Sequence, residues 1–236
     1  MTGSCSIHEC ASADAYPRPY RVSALDRIKS VADRWRYPRD DFRRYQRRWN
    51  GVYGWLIPSQ ARWLFEAAKN TAPKGAIVEI GSAYGRSTVC LAWGARLAGN
   101  GKVFAVDPHI GGKGFREQLG AGAEGYSSLE GFLANLRRFH LDPWVVPVTS
   151  GSEEAAQQWS DGPIRLLFID GWHTYEAVSQ DILGWRKFMA PGGTVALHDY
   201  QDDGVKRAIH DCMDRLGIDR EKLRKLDQQL VYFSVT

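Results

Sequence analysis

The chain has 236 residues, 44% hydrophobic and 25% charged, with a formal net charge of +4. That length suits one α/β domain with additional helices, and the composition excludes a disordered or fibrous protein. No apolar run approaches the roughly 20 residues needed to cross a bilayer, and the polar start has neither the basic residues nor the apolar core of a signal peptide; the expectation is a cytoplasmic protein with no membrane partner.

Residues 1–20 are polar, with Pro17 and Pro19 close together, and read as a disordered tail. Between Pro17 and Asn50 there are eleven Arg and Lys against four Asp, so most of the positive charge lies in this stretch. Ser23 and Asp26 resemble a capping box, and Leu25, Ile28, Ala32 and Trp35 recur at helical spacing until Pro38. Asp40 or Asp41 can cap a second helix, in which Phe42, Tyr45 and Trp49 share one face and Arg43, Arg44, Arg47 and Arg48 fill the others. Gly51 stops it. A third helix begins near Ser59 and runs through Trp63, Leu64 and Ala67 to about Asn70. The segment 21–72 is expected to form a helical lid or oligomerisation element, with one domain over 73–236.

From Gly75 the rhythm becomes strand and helix in alternation. The apolar runs are Ala76–Ile80, Val103–Val106, Val145–Val148, Ile164–Ile169 and Thr194–Leu197, with helical stretches near 86–98, 127–139, 153–159 and 174–189. Short apolar strands separated by helices predict a parallel sheet covered on both faces. A last helix carries Val205, Ile209, Cys212 and Leu216 on one stripe. The tail Gln229–Val235 reads as a terminal strand paired with Lys222–Leu226. Cys90 and Cys212 fall on apolar helix faces and are expected to be buried, while Cys5 and Cys10 belong to the tail.

The first strand runs into Val78-Glu79-Ile80-Gly81-Ser82-Ala83-Tyr84-Gly85-Arg86-Ser87-Thr88. In open α/β sheets ligands bind beyond the carboxyl ends of the strands, and glycines there allow close approach of backbone. The spacing differs from the dinucleotide turn, and Glu79 disfavours phosphate but suits a ligand with a cationic end. This segment resembles the first motif of class I S-adenosylmethionine-dependent methyltransferases, and Val103-Phe104-Ala105-Val106-Asp107-Pro108-His109 resembles the second. The stretches 166–185 and 189–200 are similar to a bacterial subgroup that methylates hydroxyls of sugars, macrolides and aminocoumarins. The resemblance spans about Gly75 to Ala208. It implies a Rossmann-like sandwich holding S-adenosylmethionine on Glu79, Gly81, Ser82, Gly85, Ser87, Asp107, Gly151, Ser152 and Asp170, with Asp107 on the ribose and Gly151–Ser152 on the adenine side. The interval Asp107–Tyr126 carries six glycines and reads as a flap over the site.

Strand four ends in Asp170-Gly171-Trp172-His173 and strand five in His198-Asp199-Tyr200. Both ends lie on the ligand side of the sheet, where two carboxylates suit a hard divalent cation such as Mg²⁺. The resemblance to catechol-type and sugar O-methyltransferases makes Asp170 and Asp199 metal aspartates, with His198, Tyr200 or Asp202 as the choices for a third ligand and His198 the one preferred. Trp172 stands where many relatives carry another acid. His173 is the expected general base beside Asp170, since an imidazole titrates near neutrality; its alternative role is capping the helix opened by Thr174. His109, His140 and His210 read as loop or surface residues. The expected acceptor is a hydroxyl of a sugar, an oligosaccharide or a glycosylated small molecule, with a phenol as the alternative. A dimer is expected, and a nucleic-acid partner is disfavoured by the acids interspersed among the N-terminal arginines.

Overall fold

The computed structural model describes residues 40–70, 72–111 and 126–235. The expected first helix over Leu25–Trp35, the tail with Cys5 and Cys10, and the flap residues 112–125 lie outside them. Two helices, α1 (Asp41–Trp49) and α2 (Pro58–Asn70), precede β1 (Ala76–Ile80). Then follow α3 (Arg86–Ala98), β2 (Val103–Val106), α4 (Leu129–Phe139), β3 (Val145–Val148), α5 (Ser152–Gln157) and β4 (Ile164–Ile169). The chain continues through α6 (Tyr175–Arg186), β5 (Met189–Leu197), α7 (Asp203–Arg215), β6 (Arg224–Lys225) and β7 (Val231–Ser234).

The seven strands form one sheet in the order β3-β2-β1-β4-β5-β7-β6. The first five are parallel, and β7 runs antiparallel to both β5 and β6. This is the expected Rossmann-like sandwich with a mainly parallel sheet. Strand order reverses between β1, which turns one way to β2, and β4, which lies on its other side. A crevice therefore opens at the carboxyl ends of β1 and β4, where the first and second halves of the sheet diverge.

Successive residues of a strand point to opposite faces, and both faces here are apolar. Ile77, Leu166 and Phe168 pack with α3, α4 and the N-terminal helices, while Val78, Leu167 and Ile169 pack under α6 and α7. Phe42 and Trp49 of α1 are buried in the first of these layers, with Tyr45 partly buried beside them. Helix α1 starts because Asp40 is its N-cap and Oδ1 accepts the Arg43 amide hydrogen bond at 3.0 Å, which satisfies a backbone donor that the helix cannot. Helix α6 stops at Arg186, short of the expected 189, because Met189 already pairs with Ile164 in the sheet.

One polar residue crosses the core at the opposite end from the crevice. Arg165 of β4 is fully buried and donates to three carbonyls, Gly75 at 3.2 Å, Ala68 at 2.7 Å and Asn100 at 2.8 Å. It ties together the ends of α2 and α3 and the entry to β1. Burial pulls its guanidinium down to about 10, so it stays charged at neutral pH.

Candidate active site

The turn after β1 is built by three residues with positive φ, Gly81 at 87°, Ala83 at 42° and Gly85 at 84°. A Cβ at Gly81 would lie 2.2 Å from the Asp170 carbonyl oxygen. One close approach that demands glycine there is thus to the protein's own backbone at the end of β4. Gly85 is the N-cap of α3, and a Cβ on it would meet the Phe132 ring at 3.1 Å. Ser82 closes the turn by accepting the Gly85 amide at 2.6 Å, and its own hydroxyl is buried with no partner among the described residues.

Glu79 is completely buried below this turn. The Thr88 hydroxyl donates to Oε2, Ser87 also bonds the carboxyl, and Oε1 has no partner among the described residues. Burial pushes the carboxyl up to about 8, helped by the charges of Asp170 and Asp107 and opposed by the Ser87 and Thr88 bonds. Asp107, at the end of β2, reaches across to the turn: Oδ2 accepts the Ala83 amide at 2.8 Å and Oδ1 the His109 amide at 2.6 Å. The structure thus brings Glu79, Gly81, Ser82, Gly85, Ser87 and Asp107 into one cradle.

Gly151 and Ser152 lie farther along the crevice, at the start of α5 after β3. The Ser152 hydroxyl accepts from Trp185 Nε1 at 2.9 Å and bonds Asp181, while a Cβ on Gly151 would meet nothing within 4 Å. Asp181 was not singled out in the sequence. It is a carboxyl on the buried stripe of α6 with Val178, Ile182 and Trp185, and burial raises it to about 6. An acid on an apolar stripe was the available signal.

Asp170, His173, His198 and Asp199 meet at the ends of β4 and β5, around a small cleft also lined by Ile169 and Trp172. His173 Nε2 lies 2.9 Å from Asp199 Oδ2, and His198 Nδ1 lies 3.2 Å from Asp170 Oδ1 and 3.0 Å from Asp199 Oδ2. Asp199 is held with φ 57°, a strained conformation for a non-glycine residue that aims its carboxylate between the two imidazoles. Burial alone would raise the Asp199 carboxyl, but hydrogen bonds from His173 and His198 outweigh it and hold it far below the carboxylate range. Asp170 moves the other way, raised by burial against the bond from His198. Burial opposes a charge on His198, yet its bonds to Asp170 and Asp199 push the imidazole up to about 10. His173 is raised by its bond to Asp199, against a smaller effect of burial.

Asp170, His173 and Asp199 each offer one ligand atom, and these lie within 4.8 Å of one another. Two carboxylates and an imidazole at that separation fit a divalent cation. Of the other sequence candidates, Tyr200 is buried and its hydroxyl pairs with His210 Nε2 at 2.9 Å, away from the carboxylates. Asp202 Oδ2 stands 3.9 Å from His173 Nδ1. Thr174, and not His173, caps α6: its hydroxyl accepts the Ala177 amide at 3.2 Å. His109 lies in a loop, as expected, but is buried there: it is 1% exposed and its Nδ1 pairs with the Ser128 hydroxyl at 2.8 Å. Cys90 and Cys212 are buried as expected, and among the described residues no helix is long and apolar enough to cross a membrane.

A family model described as a methyltransferase domain matches residues 78–200, which include the glycine turn and both aspartates. Solved structures share the fold. The O-methyltransferase NovP is 18% identical with a TM-score of 0.63, over 75% of this chain and 80% of that one. Cofactor-bound Rv0187 from MTB is 16% identical with a TM-score of 0.57, over 92% of this chain and 99% of that one. An O-methyltransferase from Bacillus cereus in complex with SAH is 15% identical with a TM-score of 0.57, over 87% of this chain and 97% of that one.

Proposed function

The chain belongs to the methyltransferase family matched over residues 78–200, and from that premise we propose that it moves a methyl group from S-adenosylmethionine to a hydroxyl oxygen of a sugar or glycosylated small molecule. The observation that carries the reading is the Asp199–His173 pair at 2.9 Å, set beside Asp170 at the mouth of the crevice.

The cradle of Glu79, Gly81, Ser82, Gly85, Ser87 and Asp107, extended by Gly151, Ser152 and Asp170, fits the donor: the buried Ser82 hydroxyl and Glu79 Oε1 still have hydrogen-bonding capacity. When bound, S-adenosylmethionine supplies an activated methyl on a sulfonium that leaves as a neutral thioether. Alignment and a deprotonated acceptor oxygen are what the protein must add. Asp199 orients the His173 ring through Nε2 and leaves Nδ1 to take the hydroxyl proton, as a carboxylate does in other acid–base pairs with histidine. The His173 side chain is 49% exposed, which leaves it reachable by an acceptor in the cleft. Asp170 and Asp199, with His198 Nδ1 or His173 as third donor, would hold Mg²⁺, which lowers the pKa of a nearby hydroxyl and fixes its direction.

The test is methyl transfer from labelled S-adenosylmethionine to a panel of glycosides and phenols, in added Mg²⁺ and in EDTA. Turnover on glycosides that EDTA abolishes is the expected result. Full turnover in EDTA removes the metal from the reading, and transfer to phenols alone replaces the acceptor class. His173→Ala is expected to bind S-adenosylhomocysteine normally and lose roughly 10²–10⁴-fold in turnover.

A further inference from the structure

Gln60 of α2 is a primary amide with 0% exposure, 138 residues away in sequence from the histidine it touches. Its Oε1 accepts the Ile57 amide at 3.1 Å, and its Nε2 donates to Asp227 Oδ2 at 3.0 Å and to Gln229 Oε1 at 3.2 Å. A backbone N–H can only donate and an ionised carboxylate can only accept, so these two partners leave the amide one orientation. Oε1 also lies 3.2 Å from His198 Nε2. In that orientation Nε2 must carry the hydrogen and donate it, and Nδ1 is turned toward Asp170 and Asp199. Asp227 is itself anchored, because Oδ1 accepts the amides of Gln229 and Leu230, each at 2.8 Å.

We propose that Gln60 is a positioning residue of the active site: it fixes the ring orientation and the Nε2–H of His198, and so sets which nitrogen faces the Asp170–Asp199 pair. The proposal rests on the methyltransferase reading only in calling that pair the reaction centre. It makes α2 and the C-terminal hairpin parts of the site, although neither contributes a group that touches a reacting atom. A polar residue on the apolar stripe Ala61, Leu64, Phe65 and Ala68 would otherwise be unfavourable.

The test is the imidazole N–H signals of the full-length protein by NMR, with the His198 signal identified by its loss in His198→Gln, alongside calorimetry with S-adenosylhomocysteine. The wild type is expected to show a slowly exchanging His198 Nε2–H. Gln60→Leu should lose it or speed its exchange by about tenfold, with the affinity for S-adenosylhomocysteine unchanged. Gln60→Glu combined with Asp227→Asn reverses the donor and acceptor of that link while keeping the Ile57 and His198 bonds, so the double variant should restore the signal. Gln60→Glu alone sets two carboxylates together and should not. An unchanged His198 signal in Gln60→Leu overturns the proposal, as does failure of a folded double variant to restore it when Gln60→Leu is unfolded. No binding of S-adenosylhomocysteine to the wild type instead overturns the methyltransferase reading and leaves the hydrogen-bond result standing.

Discussion

Replacing Glu79 by glutamine tests the electrostatics of the cradle without changing its shape. The carboxyl is fully buried, and burial moves it from an ordinary 4.5 to about 8. Between those values the folded chain keeps a proton that the unfolded chain has released. Stability therefore falls as pH rises through this window, and the contribution of the retained proton is gone above about 8. The difference corresponds to as much as about 5 kcal/mol, a ceiling that water entry and relaxation will lower. The amide of the Glu79→Gln variant cannot ionise, yet its oxygen can still accept from Thr88. Urea unfolding of both proteins at pH 5, 7 and 9 should show nearly equal stability at the acid end and a growing advantage for the variant toward the alkaline end. Parallel profiles for the two proteins would refute the reasoning, because they would mean that Glu79 is solvated or already paired.

Gly81→Ala should cost about 3 kcal/mol or more and weaken S-adenosylhomocysteine binding, since φ is 87° and the new Cβ would meet the Asp170 carbonyl at 2.2 Å; a normal melting temperature contradicts this. Arg165→Met should lower stability by on the order of 3 kcal/mol in urea unfolding, because three carbonyls lose their buried donor; a stability equal to wild type contradicts the account of Arg165 as a tie. Deleting residues 1–56 removes Phe42, Trp49, Val52 and Leu56 from the core. At roughly 1.5–3 kcal/mol for each buried side chain the loss approaches the whole stability of a domain, so a soluble, cooperatively folding 57–236 fragment is not expected.

Much of this protein was legible in its sequence because the signals were local. The apolar runs Ala76–Ile80, Val103–Val106 and Ile164–Ile169 are short, continuous and separated by helical stripes, and such a pattern has few solutions other than a covered parallel sheet. The pair Asp40 and Asp41 announced α1 because an N-cap acts within three residues, with the structure choosing Asp40, and the strand ends named Asp107, Asp170 and Asp199 because a parallel sheet sends all its carboxyl ends to one side. What joins distant segments was decided only in the tertiary structure. The need for glycine at 81 comes from a carbonyl nearly ninety residues later, His109 is buried by the return of the chain at Ser128, and the orientation of His198 depends on Gln60 and through it on Asp227. A hydrogen bond between residues far apart leaves no periodicity in either segment. Its trace is at most a polar residue on a stripe that should be apolar, as at Gln60 and Asp181, and the partner that accounts for it is selected by packing.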